Sequence, residues 1–135
     1  MNAKKTWFPA LLLALVGLAP VAISAQAAAF PGQGARDPQV LETLIDTNRS
    51  SFLLIDVRTP AEYRGGHVPT ADNIDYRSLE SVLDDADRSI PVVVYCRSGN
   101  RSARAARTLR DMGFETVVDF GGLSRWAGTL ETGES

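Results

Sequence analysis

Apolar and polar residues follow one another along this chain in two kinds of pattern. Residues 52–57, which are apolar except for Asp56, and residues 92–95 form runs rich in branched side chains, which are typical of strands buried on both faces of a parallel sheet. Residues 38–48 and 102–112 place apolar side chains three and four positions apart, which predicts helices with one packing face. Strands that alternate with helices in this way predict an α/β layer structure with a mainly parallel sheet.

Capping residues predict where several helices begin and end. Asp37 is followed by a proline and is expected to cap the first helix. Thr59 and Glu62 have the spacing of a capping box, with a proline between them, and predict a short helix over residues 60–64. Gly113 stands where the helix of residues 102–112 needs a left-handed residue after its end.

The remaining segments carry weaker signals. Ser78 is expected to cap a helix that ends among the acids of residues 84–87 and buries Leu79, Val82 and Leu83. The packing side of the helix of residues 102–112 is expected to consist of Ala103, Ala106 and Leu109. The other predicted elements are a brief strand at residues 73–75, a strand at 116–120, a turn at 121–122 and a closing helix at 123–130 that carries Trp126.

The first 27 residues have the composition of a secretory signal peptide. Two lysines precede an apolar run at residues 7–23, and small residues at positions 24–27 predict cleavage after Ala27. An uncleaved membrane anchor is the alternative, but the run is short for a span and is interrupted by two prolines and a glycine. We therefore expect a periplasmic or secreted protein with no stable membrane anchor after cleavage. The predicted organisation is a signal peptide at residues 1–27, a linker at residues 28–36 and a single domain at residues 37–133.

The net charge of the chain limits the class of macromolecule that it can bind. Cleavage after Ala27 would remove both lysines and leave twelve arginines against sixteen acidic residues, a net charge of −4. A mildly acidic domain lacks the basic face that binding to nucleic acid requires. We therefore expect no nucleic-acid partner.

Cys96 is the only cysteine of the chain. Export to an oxidising compartment normally favours paired cysteines or none, so this residue is either a small buried hydrophobe or a reactive thiol. It follows the strand of residues 92–95, and ligands bind beyond the carboxyl ends of parallel strands. Backbone N–H groups of the glycine-containing loop, the helix dipole and the guanidinium groups of Arg97 and Arg101 would all favour a thiolate. The sequence therefore predicts a sulfur nucleophile that acts on an anionic substrate.

Residues 96–102, which read CRSGNRS after a valine-rich strand, resemble the active loop of the rhodanese (thiosulfate sulfurtransferase) family. Two upstream segments are similar to other recurring patterns of that family: LIDVR at residues 54–58, followed by Pro60, Glu62 and Tyr63, and GHVP at residues 66–69, followed by Ala71, Asn73 and Ile74. The size and the signal peptide are similar to those of the small, exported, single-domain members of phage-shock type. The resemblance implies a rhodanese-like three-layer α/β fold, with a central, mainly parallel sheet of four to five strands and helices on both faces.

The same resemblance implies a reaction for Cys96. This residue would attack a sulfane sulfur of an anionic donor such as thiosulfate and hold it as a persulfide. A thiol, cyanide or a protein acceptor would then remove the sulfur, which predicts ping-pong kinetics. No metal or organic cofactor is implied. The substrate-binding cradle would consist of Arg97, Ser98, Gly99, Asn100 and Arg101.

Two other functions stay open from the sequence. The chain could be a persulfide carrier or redox binding module that passes sulfur to a protein partner, and its sequence would look the same. It could also be an oxyanion enzyme of the phosphatase or arsenate reductase type, since related folds use a cysteine loop that ends in arginine. The four residues between Cys96 and Arg101 are one fewer than such a loop uses to surround a phosphoryl group.

Several other reactive side chains are assigned structural or surface roles. Asp56 and Arg58 are expected to hold loops together through hydrogen bonds and ion pairs. His67 lies after a different strand from Cys96 and is expected to be structural rather than a catalytic base. Trp126 is expected in the core or at the pocket rim. The arginines expected on a solvated helix face, with the first nearest the pocket mouth, are Arg104, Arg107 and Arg110.

Two features depart from the family pattern. Residues 28–36 have no clear strand pattern where many members begin with a short strand, so that edge strand is expected to be missing or irregular. Thr70 stands where many members have glycine after the proline, which should alter that turn without touching the site.

Overall fold

The computed structural model describes residues 29–134, and within this range four parallel strands form one sheet in the order β2-β1-β3-β4. The strands are β1 (Leu53–Asp56), β2 (Asp72–Asn73), β3 (Val92–Cys96) and β4 (Val117–Gly122). The helices are α1 (Pro38–Asn48), α2 (Pro60–Arg64), α3 (Leu79–Val82) and α4 (Asn100–Asp111), with 3-10 turns at Gly32–Arg36, Arg49–Ser51 and Leu123–Arg125. The α/β fold predicted from the sequence is confirmed, whereas the predicted signal peptide lies outside the described residues.

The period-two geometry of the strands divides the core into two layers. In β3, all five residues are buried, and Val92, Val94 and Cys96 face the layer that contains α3 and α4. Val93 and Tyr95 face the opposite layer, which contains α1 and α2. Because successive side chains of a strand point to opposite faces, helices must cover both sides of this sheet.

Three of the predicted caps are present. Asp37 accepts hydrogen bonds from the backbone N–H groups of the second and third residues of α1, at 2.9 and 3.3 Å. Thr59 and Glu62 form both hydrogen bonds of a capping box at the start of α2. Gly113 follows α4 with a φ of 94°, a left-handed conformation that glycine adopts without steric cost.

Helix α4 begins two residues earlier than predicted. Gly99 has a φ of 99° and lets the chain turn directly from the loop into the helix at Asn100. The buried side of α4 is therefore centred on Ser102, Ala105, Ala106 and Leu109, which follow the spacing of one helical face. The prediction that Ala103 belongs to this packing side is wrong, because it is only partly buried.

The predicted turn at residues 121–122 and closing helix at residues 123–130 are wrong. Strand β4 continues through Gly122 after a register shift beside Val94 and Tyr95 of β3. Only a 3-10 turn, Leu123–Arg125, follows the strand, and Trp126 has an extended backbone. The chain then runs back to pair Glu131 with His67 in an antiparallel bridge, a path that a continuous helix could not take.

The structure also differs from the predictions for α3 and β2. Helix α3 is a single turn that buries Leu79 and Leu83, whereas Val82 is 58 % exposed and Ser78 makes no capping hydrogen bond. Strand β2 begins at Asp72 rather than residue 73 and has two residues, because only these two pair with β1.

The segment predicted as a linker is ordered against the sheet from Gly32 onward. Its 3-10 turn buries Ala35, and the Gln33 side-chain amide donates a hydrogen bond to the Val117 carbonyl at 3.0 Å. No additional strand forms among residues 29–36, as expected from their pattern. Across residues 29–134, no helix has both the length and the apolar character needed to cross a membrane.

Candidate active site

Cys96 is the last residue of β3, at the carboxyl edge of the sheet, as predicted. The loop that follows it turns back so that the Gly99 N–H donates a hydrogen bond to Cys96 Sγ at 3.0 Å. Helix α4 begins at the next residue, so its amino end lies beside the sulfur. The combination of a strand end, a loop N–H and a helix amino terminus favours negative charge on the sulfur.

Burial and hydrogen bonding act in opposite directions on the Cys96 thiol. Burial raises its pKa, since desolvation penalises the thiolate. The N–H and hydroxyl groups of Ser102, followed by the N–H groups of Gly99 and Ser98, lower it. The net pKa lies below the ordinary value of a thiol. This environment can therefore hold a sulfur nucleophile.

The end of β4 supports the loop through main-chain contacts. A Cβ atom on Gly122 would lie only 2.9 Å from the carbonyl oxygen of Arg97 and 3.2 Å from Cα of Ser98. The Leu123 N–H donates a hydrogen bond to the same Arg97 carbonyl at 3.2 Å. The sequence predicts a turn at this glycine pair, but glycine at the end of a strand can also mark such a close backbone approach.

Ser102 is a second contributor absent from the predicted site residues. It is fully buried, and its hydroxyl lies 3.0 Å from the Gly99 carbonyl and 3.5 Å from the Gly121 carbonyl. It therefore connects the start of α4 to the loop and to β4. The packing face that carries Ala106 and Leu109, continued one turn towards the start of the helix, reaches Ser102, and this spacing is the sequence signal that identifies the residue.

The predicted cradle residues differ in what their side chains can reach. Arg97, Ser98 and Asn100 are all exposed. The Arg97 side chain makes no hydrogen bond or ion pair with any other residue in the 29–134 range. Gly99 contributes its N–H to the sulfur. Arg97 is thus the guanidinium group available to an anion.

Arg101, by contrast, is committed to a carboxylate. Its two terminal nitrogens donate to the two oxygens of Glu62 at 2.7 and 2.8 Å, a bidentate ion pair across α2 and α4. The sequence predicts that two guanidinium groups attract the substrate, but in the structure the charge of Arg101 is compensated by the Glu62 carboxylate. The sequence predicts a capping-box role for Glu62 but does not indicate this pairing.

Glu62 is held from two directions. Besides the ion pair with Arg101, its carboxylate accepts hydrogen bonds from the Thr59 N–H at 3.1 Å and the Thr59 hydroxyl at 3.0 Å. The hydrogen bond from Arg101 is the main reason that the pKa of Glu62 is lowered to about 2. The same pairing raises the pKa of Arg101. Both groups are therefore charged at neutral pH.

Asp56 and Arg58 form a buried ion pair behind the loop. The Arg58 guanidinium donates to both carboxylate oxygens of Asp56, at distances of 2.6 to 3.0 Å, and to the Gly66 carbonyl at 2.7 Å. The hydroxyl of Tyr95 donates to Asp56 at 2.8 Å and accepts from the Val68 N–H. These contacts join the ends of β1 and β3 to the loop after α2, as expected for residues that hold loops together.

His67 is fully engaged with neighbouring structure. Its ring stacks on Tyr63 with centroids 3.6 Å apart, and its Nδ1 lies 2.9 Å from the Tyr63 carbonyl oxygen. Its Nε2 lies 3.7 Å from the Glu131 carboxylate. These contacts agree with the structural role expected for it.

Trp126 has the predicted surroundings and the outer arginines of α4 are exposed as predicted, whereas the position of Arg104 nearest the pocket mouth stays a prediction. Trp126 is partly buried against the layer that contains α1 and α2, and its indole N–H donates to the Thr129 carbonyl. The exposed arginines of α4 are Arg104, Arg107 and Arg110. Thr70, which departs from the family pattern, has a left-handed φ of 66°.

A cleft of about 380 Å³ lies between α2 and the loop that follows Cys96, and we call it the entrance cleft. Its lining residues are Arg58, Ala61, Glu62, Gly65, Gly66, Arg97, Leu123 and Leu130. Within residues 29–134, no three His, Cys, Asp or Glu side chains are grouped so that they could hold a metal ion. That no cofactor is needed stays a prediction.

Comparisons with known proteins identify relatives of this chain. The sequence family described as "Rhodanese-like domain" matches residues 37–129. A sulfurtransferase from Allochromatium vinosum is 36% identical over 87 residues, which are 64% of this chain and 79% of that protein. The protein YqhL from Bacillus subtilis is 39% identical over 79 residues, which are 58% of this chain. The match spans 63% of the length of YqhL.

Solved structures share the fold. The crystal structure of the Alr3790 protein from Anabaena sp. has a TM-score of 0.66 and is 28% identical in sequence. The similarity covers 71% of this chain and 80% of that chain. This chain therefore shares the layered arrangement described above with the Anabaena protein over most of the domain.

Proposed function

This chain belongs to the rhodanese-like domain family, and from that membership we propose that it is a sulfurtransferase whose Cys96 thiolate accepts a sulfane sulfur as a persulfide. The single observation that carries the proposal is the position of Cys96 Sγ, at the end of β3 with the Gly99 N–H 3.0 Å away. A sulfurtransferase from Allochromatium vinosum is among the relatives, which supports the same class of activity. We take the donor to be an anion of the thiosulfate type.

The first half-reaction is a displacement at sulfur. The Cys96 thiolate attacks the terminal sulfur of thiosulfate, a new bond forms to Sγ, and the S–S bond of the donor breaks. The electron pair of that bond leaves with sulfite, so no proton is transferred and the total charge is unchanged. The terminal sulfur of the persulfide then carries the negative charge, which the N–H groups of the loop can stabilise as they do the thiolate.

The second half-reaction returns the site to its starting state. A nucleophilic acceptor attacks the outer sulfur of the persulfide, and the electron pair of the breaking S–S bond returns to Cys96 Sγ. Because the donor product leaves before the acceptor reacts, ping-pong kinetics are expected. The acceptor can be a thiol, cyanide or a nucleophile on a partner protein.

Intact-protein mass spectrometry tests the proposal directly. After incubation with thiosulfate, the protein should gain about 32 Da, the mass of one sulfur atom in a persulfide. Because Cys96 is the only cysteine, Cys96→Ser should abolish this gain. Glu115→Gln, an exposed residue just before β4, serves as the matched control and should retain it. A gain retained by Cys96→Ser, or no gain in the parent protein with any sulfane donor, would overturn the proposal.

Two further assays on the same preparation separate the alternatives. A persulfide that forms readily but turns over slowly with cyanide would favour a carrier that delivers sulfur to a protein partner. Hydrolysis of a phosphate ester without thiosulfate turnover would instead assign the site to an oxyanion enzyme. Both readouts use the same preparation and the same Cys96→Ser control.

We further propose that the protein is exported and resembles the small phage-shock type in its organisation, with residues 37–133 as its one domain. The support is the composition of residues 1–27, which fits a secretory signal. Amino-terminal sequencing of the protein recovered from a periplasmic fraction should begin at Ala28. Recovery of the intact amino terminus in the membrane fraction would instead support an uncleaved anchor.

A further inference from the structure

Among residues 29–134, the charged side chains around the entrance cleft are paired so that one positive charge, that of Arg97, is left uncompensated. Arg58 is bonded to buried Asp56 at 2.6 Å. Arg101 is bonded to Glu62 through both terminal nitrogens. Arg97 is exposed and makes no ion pair or hydrogen bond through its side chain within residues 29–134. The cleft therefore offers an anion less positive charge than its arginine content suggests.

Hydrogen bonds on two sides hold the Glu62 carboxylate in this ion pair. Its carboxylate is fixed by Arg101 on one side and by Thr59 on the other. With a pKa lowered to about 2, mainly by the hydrogen bond from Arg101, it stays ionised throughout the neutral range. The pair is partly exposed, with side-chain exposures of 28% for Arg101 and 29% for Glu62. Glu62 lines the cleft, so its charge is open to a ligand there.

We propose that Glu62 is a specificity-determining residue that lowers the preference of the site for dianionic sulfur donors relative to monoanionic ones. This inference rests on the sulfurtransferase function proposed above. Coulomb energy scales with the product of the charges. Removing one positive charge from the balance of the cleft therefore costs a dianion twice the attraction that it costs a monoanion. Arg97 then supplies enough attraction for a donor with a single negative charge.

Thiosulfate and methanethiosulfonate form a matched pair of probes for this charge effect. Both present a terminal sulfur on a tetrahedral sulfur atom, but a methyl group replaces one charged oxygen in the second compound. Transfer from methanethiosulfonate forms the same Cys96 persulfide, and the electron pair of the broken S–S bond leaves with methanesulfinate. The ratio of the two kcat/KM values removes differences in folding, in active fraction and in the reactivity of the thiolate common to both reactions.

Glu62→Gln tests the proposal with little change in shape. Glutamine can still serve at the third position of a capping box, so α2 should keep its start. The variant frees one positive charge at Arg101, and the ratio of kcat/KM for thiosulfate to that for methanethiosulfonate should rise at least about fivefold. Glu115→Gln makes the same change in net charge just before the start of β4. That position is at the amino ends of the strands, whereas Cys96 is at their carboxyl ends, so the ratio should stay unchanged.

Arg101 variants supply an independent readout. Arg101→Gln leaves the charge of Glu62 uncompensated and should lower the ratio by a similar factor. The double variant Glu62→Gln with Arg101→Gln restores the charge balance, and the ratio should return towards that of the parent protein. A ratio that Glu62→Gln does not move, or a double variant that keeps the low ratio of Arg101→Gln, would overturn the role of charge.

Different results would disprove the sulfurtransferase function and the specificity role of Glu62. If neither donor forms a persulfide on Cys96, the proposed function is wrong. If both donors form it and the ratio is the same in Glu62→Gln and Glu115→Gln, the sulfurtransferase function stands and the specificity role of Glu62 is wrong.

Discussion

Gly122→Ala tests how tightly the loop after Cys96 is held against β4. The added Cβ would lie 2.9 Å from the Arg97 carbonyl oxygen, whereas ordinary contacts of this kind begin at 3.4 Å. The atoms it meets belong to the main chain and cannot rotate away. The loop must therefore move by about 0.5 Å, which would displace the Gly99 N–H from its position 3.0 Å from the sulfur.

Such a displacement should affect both reactivity and stability. A misplacement of 1 Å can cost about a hundredfold in rate, so half of that distance predicts persulfide formation that is about tenfold slower. Overpacking of a tight contact also lowers the free energy of unfolding by about 1 to 3 kcal/mol. The two effects are measured by the rate at which Cys96 gains sulfur in intact-mass time courses and by urea unfolding.

Gly113→Ala is the matched control for this experiment. Gly113 has a φ of 94° with no other atom near the position of a Cβ, so alanine there introduces backbone strain of about 1 kcal/mol without a clash. It lies after the carboxyl end of α4, away from the loop, and should leave the rate at Cys96 unchanged. If Gly122→Ala forms the persulfide as fast as Gly113→Ala does, the loop is not positioned by its contact with β4.

The remaining predictions concern the buried ion pair, the strained turn and the thiol. Asp56→Ala should lower the free energy of unfolding by about 3 to 5 kcal/mol, because it strands the buried Arg58 guanidinium; a loss below about 1 kcal/mol in urea would contradict this. Thr70→Gly should be about 1 kcal/mol more stable than Thr70→Ala, since both lose the hydroxyl that accepts from Arg49 but only glycine relieves the positive φ; equal stabilities would show no strain. The pKa of Cys96 is lower in the folded chain than in the unfolded chain, so the unfolded chain binds more protons at pH values between the two. The free energy of unfolding should therefore rise with pH across that interval, and the contribution of the thiol should be lost as the pH falls through the folded pKa. Cys96→Ser should abolish this pH dependence in urea unfolding.

The local signals in the sequence were sufficient for much of the fold. Apolar runs located β1 and β3, and the capping residues Asp37 and Thr59 located the starts of α1 and α2. These signals are short-range, since they depend on the residue type and its immediate neighbours. The carboxyl-end position of Cys96 followed from them, because a parallel strand followed by a helix leaves its last residue at that edge.

The parts that the sequence did not reveal depend on contacts between distant segments. Glu62 and Arg101 are 39 positions apart, and nothing near either one indicates that they pair. The extended path beyond Leu123 likewise depends on the bridge between His67 and Glu131, which overrides a local pattern compatible with a helix. Long-range hydrogen bonds and backbone packing thus decided the features that local periodicity left undetermined.

The support of the loop by β4 has a consequence for how this site could diverge. The contacts that Gly122 and Leu123 make with the loop involve main-chain atoms, and the sulfur is stabilised in part by main-chain N–H groups. Side chains at Arg97, Ser98 and Asn100 are therefore free to vary without rebuilding the position of the nucleophile. A lineage could exchange them one at a time and acquire new sulfur donors or partner proteins, while every intermediate kept a working thiolate.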